Sequence, residues 1–366
     1  MKFNSYCLAG LFVVRAFIST AQQTVQNVTI GTVDRTYIQY LPTGFQEAEN
    51  MPVVVVLHGI GADGANMIGT GFNQIADTAR FIAVYPTGLP NGWGQTSWNN
   101  GTLLASAAND IGLFNYILDD LILNKNADPT RVYFTGFSMG GIMTHHMACQ
   151  LNSRVAAIGS MSGTIATGNL TTCSPSFATP VIHLHGDIDG TIPYDGSALP
   201  SLALVPQTIE FWRSVHGCAT SYDSIRMPDI AADDITVDRF VYNNCSQEGS
   251  LELWRMNNAD HVFLYEPVND ITESKEIWRF FLRFQHPSPA SAQLSQLEYV
   301  AAKLYPNPSN DFITIESLLE VKEFRIVDVM GRTLIVTDNN TIDIQALQSG
   351  RYFVEFNGNV ISFVKE

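Results

Sequence analysis

The pattern of apolar and polar positions changes near residue 286, and the two parts predict different kinds of structure. From about residue 27 to 285, short apolar runs alternate with stretches whose apolar residues recur at helical spacing. Alternation at Val28-Thr29-Ile30 and Tyr37-Ile38-Gln39-Tyr40 predicts an opening hairpin, because successive strand side chains point to opposite faces. Continuous runs at 53–57, 81–86, 131–135, 181–185 and 251–256 predict core strands. Helical spacing appears at 72–79, at 111–123 behind a cap at Asn109 or Asp110, at 201–215 and at 277–284. Strands and helices in alternation predict an α/β fold with a largely parallel sheet. Residues 222–238 are polar and read as an irregular loop over the end of that sheet.

Beyond His286 the pattern holds only short β-type runs, at 312–315, 323–328, 333–336 and 352–356, separated by Gly-Arg turn signals. They predict a small β-sandwich behind a proline- and serine-rich linker over 286–303. At the other end, Lys2, a mostly apolar stretch from Cys7 to Ile18 and small residues at Ser19-Thr20-Ala21 read as a secretory signal peptide over 1–21. The expected division is therefore 1–21 signal, 22–285 main domain, 286–303 linker and 304–366 β domain.

Composition adds exclusions. Thirty-five acidic against 20 basic residues give a net charge of −15, which speaks against a nucleic-acid partner. No stretch outside the leader is long and apolar enough for an integral membrane span. Once the leader's Cys7 is set aside, Cys149, Cys173, Cys218 and Cys245 remain. An even count in an exported chain predicts two disulfides, with three possible connectivities. The pairs nearest in sequence, Cys149–Cys173 and Cys218–Cys245, are favoured. No cysteine or histidine spacing points to a metal, and His183 and His185, alternate residues of one strand, read as core histidines.

The chemistry centres on Gly136-Phe137-Ser138-Met139-Gly140-Gly141, between a strand run and a helix run. In that context G-x-S-x-G lifts a serine hydroxyl clear of the sheet, beside the positive end of the following helix. A serine nucleophile needs a base, an orienting acid and an oxyanion hole, and in α/β-hydrolases the acid and then the histidine follow the serine. After the serine, the loop Gly186-Asp187-Ile188-Asp189 leaves one strand and Asn257-Asn258-Ala259-Asp260-His261 leaves another. His216 and His183 do not follow a late strand into a loop, so His261 is the candidate base; Asp187, Asp189 and Asp260 are candidate acids. Before the serine, 53–57 runs into a glycine-rich loop from His58 to Gly64, the place for an oxyanion N–H. Trp98 reads either as an aromatic wall of the substrate site or as a core tryptophan.

Two resemblances rest on longer strings of residues. Arg35-Thr36-Tyr37, Val56-Leu57-His58-Gly59, Ser97-Trp98-Asn99, Asn109-Asp110-Ile111-Gly112, the serine motif and His185-Gly186-Asp187-Ile188-Asp189 occur in order. With them, residues 27–285 resemble the secreted carboxylesterases that group polyhydroxybutyrate depolymerases with feruloyl and acetylxylan esterases. The resemblance implies an α/β-hydrolase with Ser138 as nucleophile, His261 as base and Asp189 as acid. It also implies backbone N–H groups of Ile60 and Met139 as the oxyanion hole, and no cofactor. Around His261 the chain departs from that family, with Asn257–Asp260 and Val262-Phe263 in place of a glycine-rich approach and a tryptophan. The expected substrates are feruloyl or acetyl esters linked to plant polysaccharide, with polyhydroxybutyrate or another polyester as the alternative. Leu304–Pro308, Val329–Arg332 and Gly350-Arg351-Tyr352 resemble the C-terminal sorting domain of type IX secretion. That resemblance implies the type IX machinery as partner and a secreted or cell-surface location.

Overall fold

The computed structural model describes residues 22–245, 249–287, 303–316, 321–328, 332–356 and 359–366. The expected signal peptide, nearly all of the expected linker and the Met330-Gly331 turn lie outside the described residues. In the main unit ten strands form one sheet. They are β1 (Gln22–Ile30), β2 (Val33–Leu41), β3 (Met51–Leu57), β4 (Ile82–Pro86) and β5 (Ala127–Phe137). There follow β6 (Ala157–Met161), β7 (Val181–Gly186), β8 (Tyr222–Arg226), β9 (Thr236–Tyr242) and β10 (Leu251–Asn257). The order is β1-β2-β4-β3-β5-β6-β7-β10-β9-β8.

From β4 to β10 each neighbour pair is parallel, so the centre of the sheet needs covering on both faces. That is why β3, β4, β6 and β7 are buried along their whole length. Cover comes from α1 (Phe72–Ala79), α2 (Asp110–Lys125), α3 (Met139–Gln150), α4 (Val205–His216) and α5 (Glu273–Phe281). Asn109 caps α2, its side chain accepting from the Gly112 N–H at 2.9 Å. Tyr133 of β5 stacks on Phe281 of α5 with ring centroids 4.7 Å apart. The expected disulfides, Cys149–Cys173 and Cys218–Cys245, are both present. The architecture is that of an α/β-hydrolase.

Four points differ from the sequence expectation. The fourth helix begins at Val205 because Ser201 has a left-handed φ of 66°, and Pro206 occupies its first turn. The fifth begins at Glu273, four residues early, since polar Glu273 and Ser274 are buried there and mask the apolar spacing. Residues 222–238 are loop only in part: 222–226 form β8 and 236–238 open β9, antiparallel at the sheet edge, with 227–235 irregular between them. Every residue of β8 is exposed, so no apolar face marks it in the sequence; Arg226 pairs with Asp238 across the strands. The packed body also extends to His286, which is buried and whose N–H donates to the Thr130 carbonyl at 2.7 Å.

The C-terminal unit contains two antiparallel sheets. One holds β11 (Lys303–Tyr305), β12 (Phe312–Glu316) and, beyond β13 (Phe324–Val327) and β14 (Thr333–Thr337) in sequence, β15 (Thr341–Asp343). The other holds β13 and β14 with β16 (Gly350–Phe356) and β17 (Asn359–Lys365). Ile313, Ile315 and Ile342 of the first sheet share one core with Phe324, Ile326, Val354, Phe356 and Phe363 of the second. This is the expected small β-sandwich. Tyr352 and Phe356 point inward, which leaves Phe353 on the other face of its strand.

The tightest crossing in the main unit is α3 against the end of β3. A Cβ on Gly140 would lie 2.1 Å from the Leu57 carbonyl oxygen, a backbone atom that cannot swing aside. Gly69, by contrast, has no neighbour within 4 Å of its would-be Cβ. Gly140→Ala is expected to cost about 3 kcal/mol or more, and Gly69→Ala to be near neutral, in chemical denaturation.

Candidate active site

β5 delivers its chain into a turn at Ser138, which adopts φ 57° and ψ −120°. A non-glycine residue held at that φ is strained, and the surroundings hold it by force of packing. The Ser138 N–H donates to the Met161 carbonyl at 2.8 Å, and its own carbonyl accepts from Ile142 at 3.0 Å. A Cβ on Gly136 would sit 2.6 Å from the Gly140 carbonyl carbon, so the glycines two before and two after the serine are both required by space. Met139 opens α3, and an N–H in the first turn has no acceptor within its own helix.

The loops after β7 and β10 bring Asp189 and His261 together. His261 Nδ1–H donates to Asp189 Oδ2 at 2.7 Å. Asp189 Oδ1 accepts the N–H groups of Thr191 and Ile192, each at 2.8 Å. Burial alone would raise this carboxyl, but hydrogen bonds from His185, His261 and the Ile192 N–H outweigh it and hold Asp189 far below the usual carboxylate range. The other two candidate acids brace the loops instead. Asp187 accepts the Asn258 N–H at 2.8 Å, and Asp260 accepts the N–H groups of Gly190 and His261 at 2.8 Å each.

Ser138 and His261 line a single cleft of about 570 Å³ with Gly59, Ile60, Phe137 and Phe263. A Cβ on Gly59 would be 3.4 Å from the serine Cβ, so the loop that carries Ile60 runs in contact with the nucleophile. Its position is set from behind. His58 Nδ1–H donates to the Gly59 carbonyl at 2.7 Å, and its Nε2 accepts the Gly88 N–H at 2.9 Å. Burial lowers the His58 pKa, in keeping with a neutral ring that donates at one nitrogen and accepts at the other.

Trp98 does not line the cleft. It is fully buried, donates its indole N–H to the His58 carbonyl at 2.9 Å and packs on the His58 ring at 4.6 Å. The aromatic lining comes from Phe137, Phe263 and Tyr265, with Phe137 4.8 Å from the His261 ring. These three lie next to, or two and four residues after, a catalytic candidate; that adjacency was the available signal. His183 and His185 bond to each other in the core at 3.2 Å.

Both walls of the cleft hang on the start of α5. Glu273 Oε1 accepts the Leu264 N–H at 2.8 Å, and the Glu273 N–H returns a bond to the Leu264 carbonyl at 3.2 Å, closing the 261–265 loop. Ser274 Oγ donates to the Thr70 carbonyl at 2.7 Å on the opposite wall. Burial pushes the Glu273 carboxyl up to about 8, against the Leu264 bond that favours its charged form. Between its unfolded value, about 4.5, and about 8 the unfolded chain loses this proton while the native state keeps it, so native stability falls across that window. Melting of wild type and Glu273→Gln from pH 5 to 8 is expected to show the difference shifting steadily in favour of the variant.

Comparisons with known proteins identify the family and the fold. Residues 45–230, just over half of the chain, match the family described as Phospholipase/Carboxylesterase, and residues 303–366 match the Secretion system C-terminal sorting domain. The sorting domain marks the chain for export by type IX secretion; among the described residues no helix is long and apolar enough to cross a membrane. A bifunctional acetylxylan esterase/xylanase of Neocallimastix patriciarum is 31% identical over 156 residues, covering 42% of this chain and 21% of that protein. Feruloyl esterase B of Piromyces equi is 24% identical over 240 residues, covering 62% and 42%. This chain thus spans less than half the length of either relative. The solved acetyl xylan esterase from Aspergillus awamori superposes with a TM-score of 0.50 at 18% identity, covering 70% of this chain and 98% of that one, which speaks to the fold. With an α/β-hydrolase sheet beneath an esterase-like cleft and a match across half its length, the chain belongs to the phospholipase/carboxylesterase family.

Proposed function

We propose that the chain is an exported serine esterase that cleaves feruloyl or acetyl esters carried by plant polysaccharide. The observation that carries the reading is the convergence of Ser138 and His261 on one cleft, with Asp189 bonded to the far nitrogen of His261. Because Nδ1 donates its hydrogen to Asp189, a neutral His261 has an unprotonated Nε2 to take the serine proton. Ser138 Oγ then attacks the ester carbonyl, and the oxyanion is received by the N–H groups of Ile60 and Met139. His261 returns the proton to the leaving alcohol. Water, deprotonated by His261 in turn, attacks the acyl-enzyme, releases the carboxylic acid and restores Ser138. Asp189 stays ionised throughout and stabilises the imidazolium. No cofactor enters this cycle.

Substrate class follows from the lining. Phe137, Phe263 and Tyr265 give an acyl group an apolar, aromatic wall. Acetylxylan and feruloyl esterases among the relatives favour the polysaccharide ester. The type IX machinery is the partner for export through the C-terminal unit, and the ester is polymer-linked.

Two measurements test this. Ser138→Ala and His261→Ala are each expected to lower kcat on p-nitrophenyl acetate by more than about 10⁴-fold, while Asp187→Asn stays within an order of magnitude. Phe263→Ala is expected to raise KM for methyl ferulate about 10-fold without a matching change for p-nitrophenyl acetate. Release of 3-hydroxybutyrate from polymer film, with no ferulate or acetate from xylan, would move the substrate to polyesters.

A further inference from the structure

Behind Asp189 lies a run of buried histidines that the proposed cycle does not use. His183 and His185 project from the same face of β7, and both are fully buried. His185 Nε2 lies 2.8 Å from the Ile192 carbonyl oxygen and 3.3 Å from Asp189 Oδ2. Both are acceptors, so Nε2 must carry the hydrogen. His185 Nδ1 lies 3.2 Å from His183 Nε2. In a neutral His185 that Nδ1 is the acceptor, so His183 Nε2 donates and His183 Nδ1 is left without a partner. The hydrogen bonds therefore run one way, from His183 to His185 to the Ile192 carbonyl, with the Asp189 carboxylate 3.3 Å from the same Nε2.

We infer that His185 is a positioning residue: its Nε2–H bonds the Ile192 carbonyl and presents its positive edge 3.3 Å from Asp189 Oδ2, and so fixes the loop and the carboxylate that His261 receives. The inference rests on the serine-esterase reading. Three features separate it from ordinary core packing. An apolar ring would fill the site without desolvating two imidazoles, which costs free energy wherever a nitrogen goes unpaired. The Nε2–H edge of His185 faces the same carboxylate oxygen that binds His261, while the other oxygen accepts the Thr191 and Ile192 N–H groups. Ile192 both donates its N–H to Asp189 and accepts from His185, so two hydrogen bonds and the 3.3 Å approach of His185 Nε2 to Oδ2 tie the three groups together.

The role can be divided between two substitutions. His185→Asn keeps an acceptor facing His183 and removes the donor facing Asp189; His185→Gln carries an N–H to the Nε2 position. With rates expressed per folded protein, from near-ultraviolet circular dichroism, His185→Asn is expected to lower kcat on p-nitrophenyl acetate about 10- to 100-fold with KM nearly unchanged. A carboxylate that loses a donor is more basic and holds an imidazolium more strongly, so the acid limb of kcat/KM should move to higher pH. His185→Gln should recover most of the rate and the wild-type limb. Equal loss in both variants, or a wild-type rate and limb in His185→Asn, overturns the role. In the wild-type protein, nitrogen NMR should find the neutral His185 ring as the Nε2–H tautomer; an Nδ1–H tautomer overturns it without any variant. Ser138→Ala, run in parallel, separates the two readings. If it stays active the serine-esterase reading fails; if it is inactive while His185→Asn is unimpaired, the positioning role alone fails.

Discussion

The closeness of α3 to the end of β3 is the constraint on which the site depends. Gly140 leaves no room for a methyl group against the Leu57 carbonyl, and Gly136 leaves none against Gly140. Only at that distance does the chain leaving β5 turn within one residue, which forces the Ser138 backbone to a φ of 57°. The same closeness sets the loop after β3 against the serine, so the nucleophile and the Ile60 segment come from two neighbouring parallel strands. Strain at Ser138 is of order 1–3 kcal/mol. A buried sheet core of this size absorbs that readily, whereas a loop on the surface would relax it.

A second layer holds the oxyanion loop from beneath and explains why widely spaced sequence motifs occur together. Arg35 and Asp110 form an almost fully buried ion pair at 2.6 Å, and the other Asp110 oxygen accepts the Asn99 N–H at 2.7 Å. Burial pushes the Asp110 carboxyl up, while the Asn99 bond and the Arg35 charge act the other way. The next residue back, Trp98, then reaches the His58 carbonyl. Breaking a buried pair by removing one partner costs about 3–5 kcal/mol, a large part of a domain's stability. Such a pair is weak evidence of net stabilisation. Its evident effect is to fix one path for the 97–110 segment, and through Trp98 to fix the loop that faces the nucleophile.

What the sequence made legible follows from local rules. The parallel strands are apolar throughout because both faces are covered, and the serine turn carries its two glycines because nothing larger fits. The rest was hidden for physical reasons. Strand β8 has no buried face, so it carries no apolar period. Glu273 and Ser274 are charged or polar residues whose value lies in bonds to Leu264 and Thr70, the latter 204 residues away in the chain. Trp98 next to a candidate site admitted two readings, and only its burial decides between them. The choice of Asp189 over Asp187 and Asp260 is likewise a matter of direction: three carboxylates share two loops, and two of them spend their acceptors on backbone N–H groups.

That division of labour has an electrostatic consequence. A carboxylate buried beside a histidine would ordinarily share its proton, and a protonated acid could not stabilise an imidazolium. Asp189 avoids this with donors on both oxygens, two backbone N–H groups on Oδ1 and the His261 ring on Oδ2, and with the His185 Nε2–H facing Oδ2 at 3.3 Å. Each added donor also drains charge that would otherwise act on His261, so the number of bonds trades carboxylate acidity against histidine basicity. Glu273 shows the other limit: a more deeply buried carboxyl, with a single N–H donor to its side chain, is pushed up to about 8 and stays protonated at neutral pH. Two acids near one cleft thus differ in charge because of how deeply each is buried and how many donors face it. The better-solvated electrostatic environment belongs to the acid that must stay ionised, and the poorer one to the acid that only has to hold a loop.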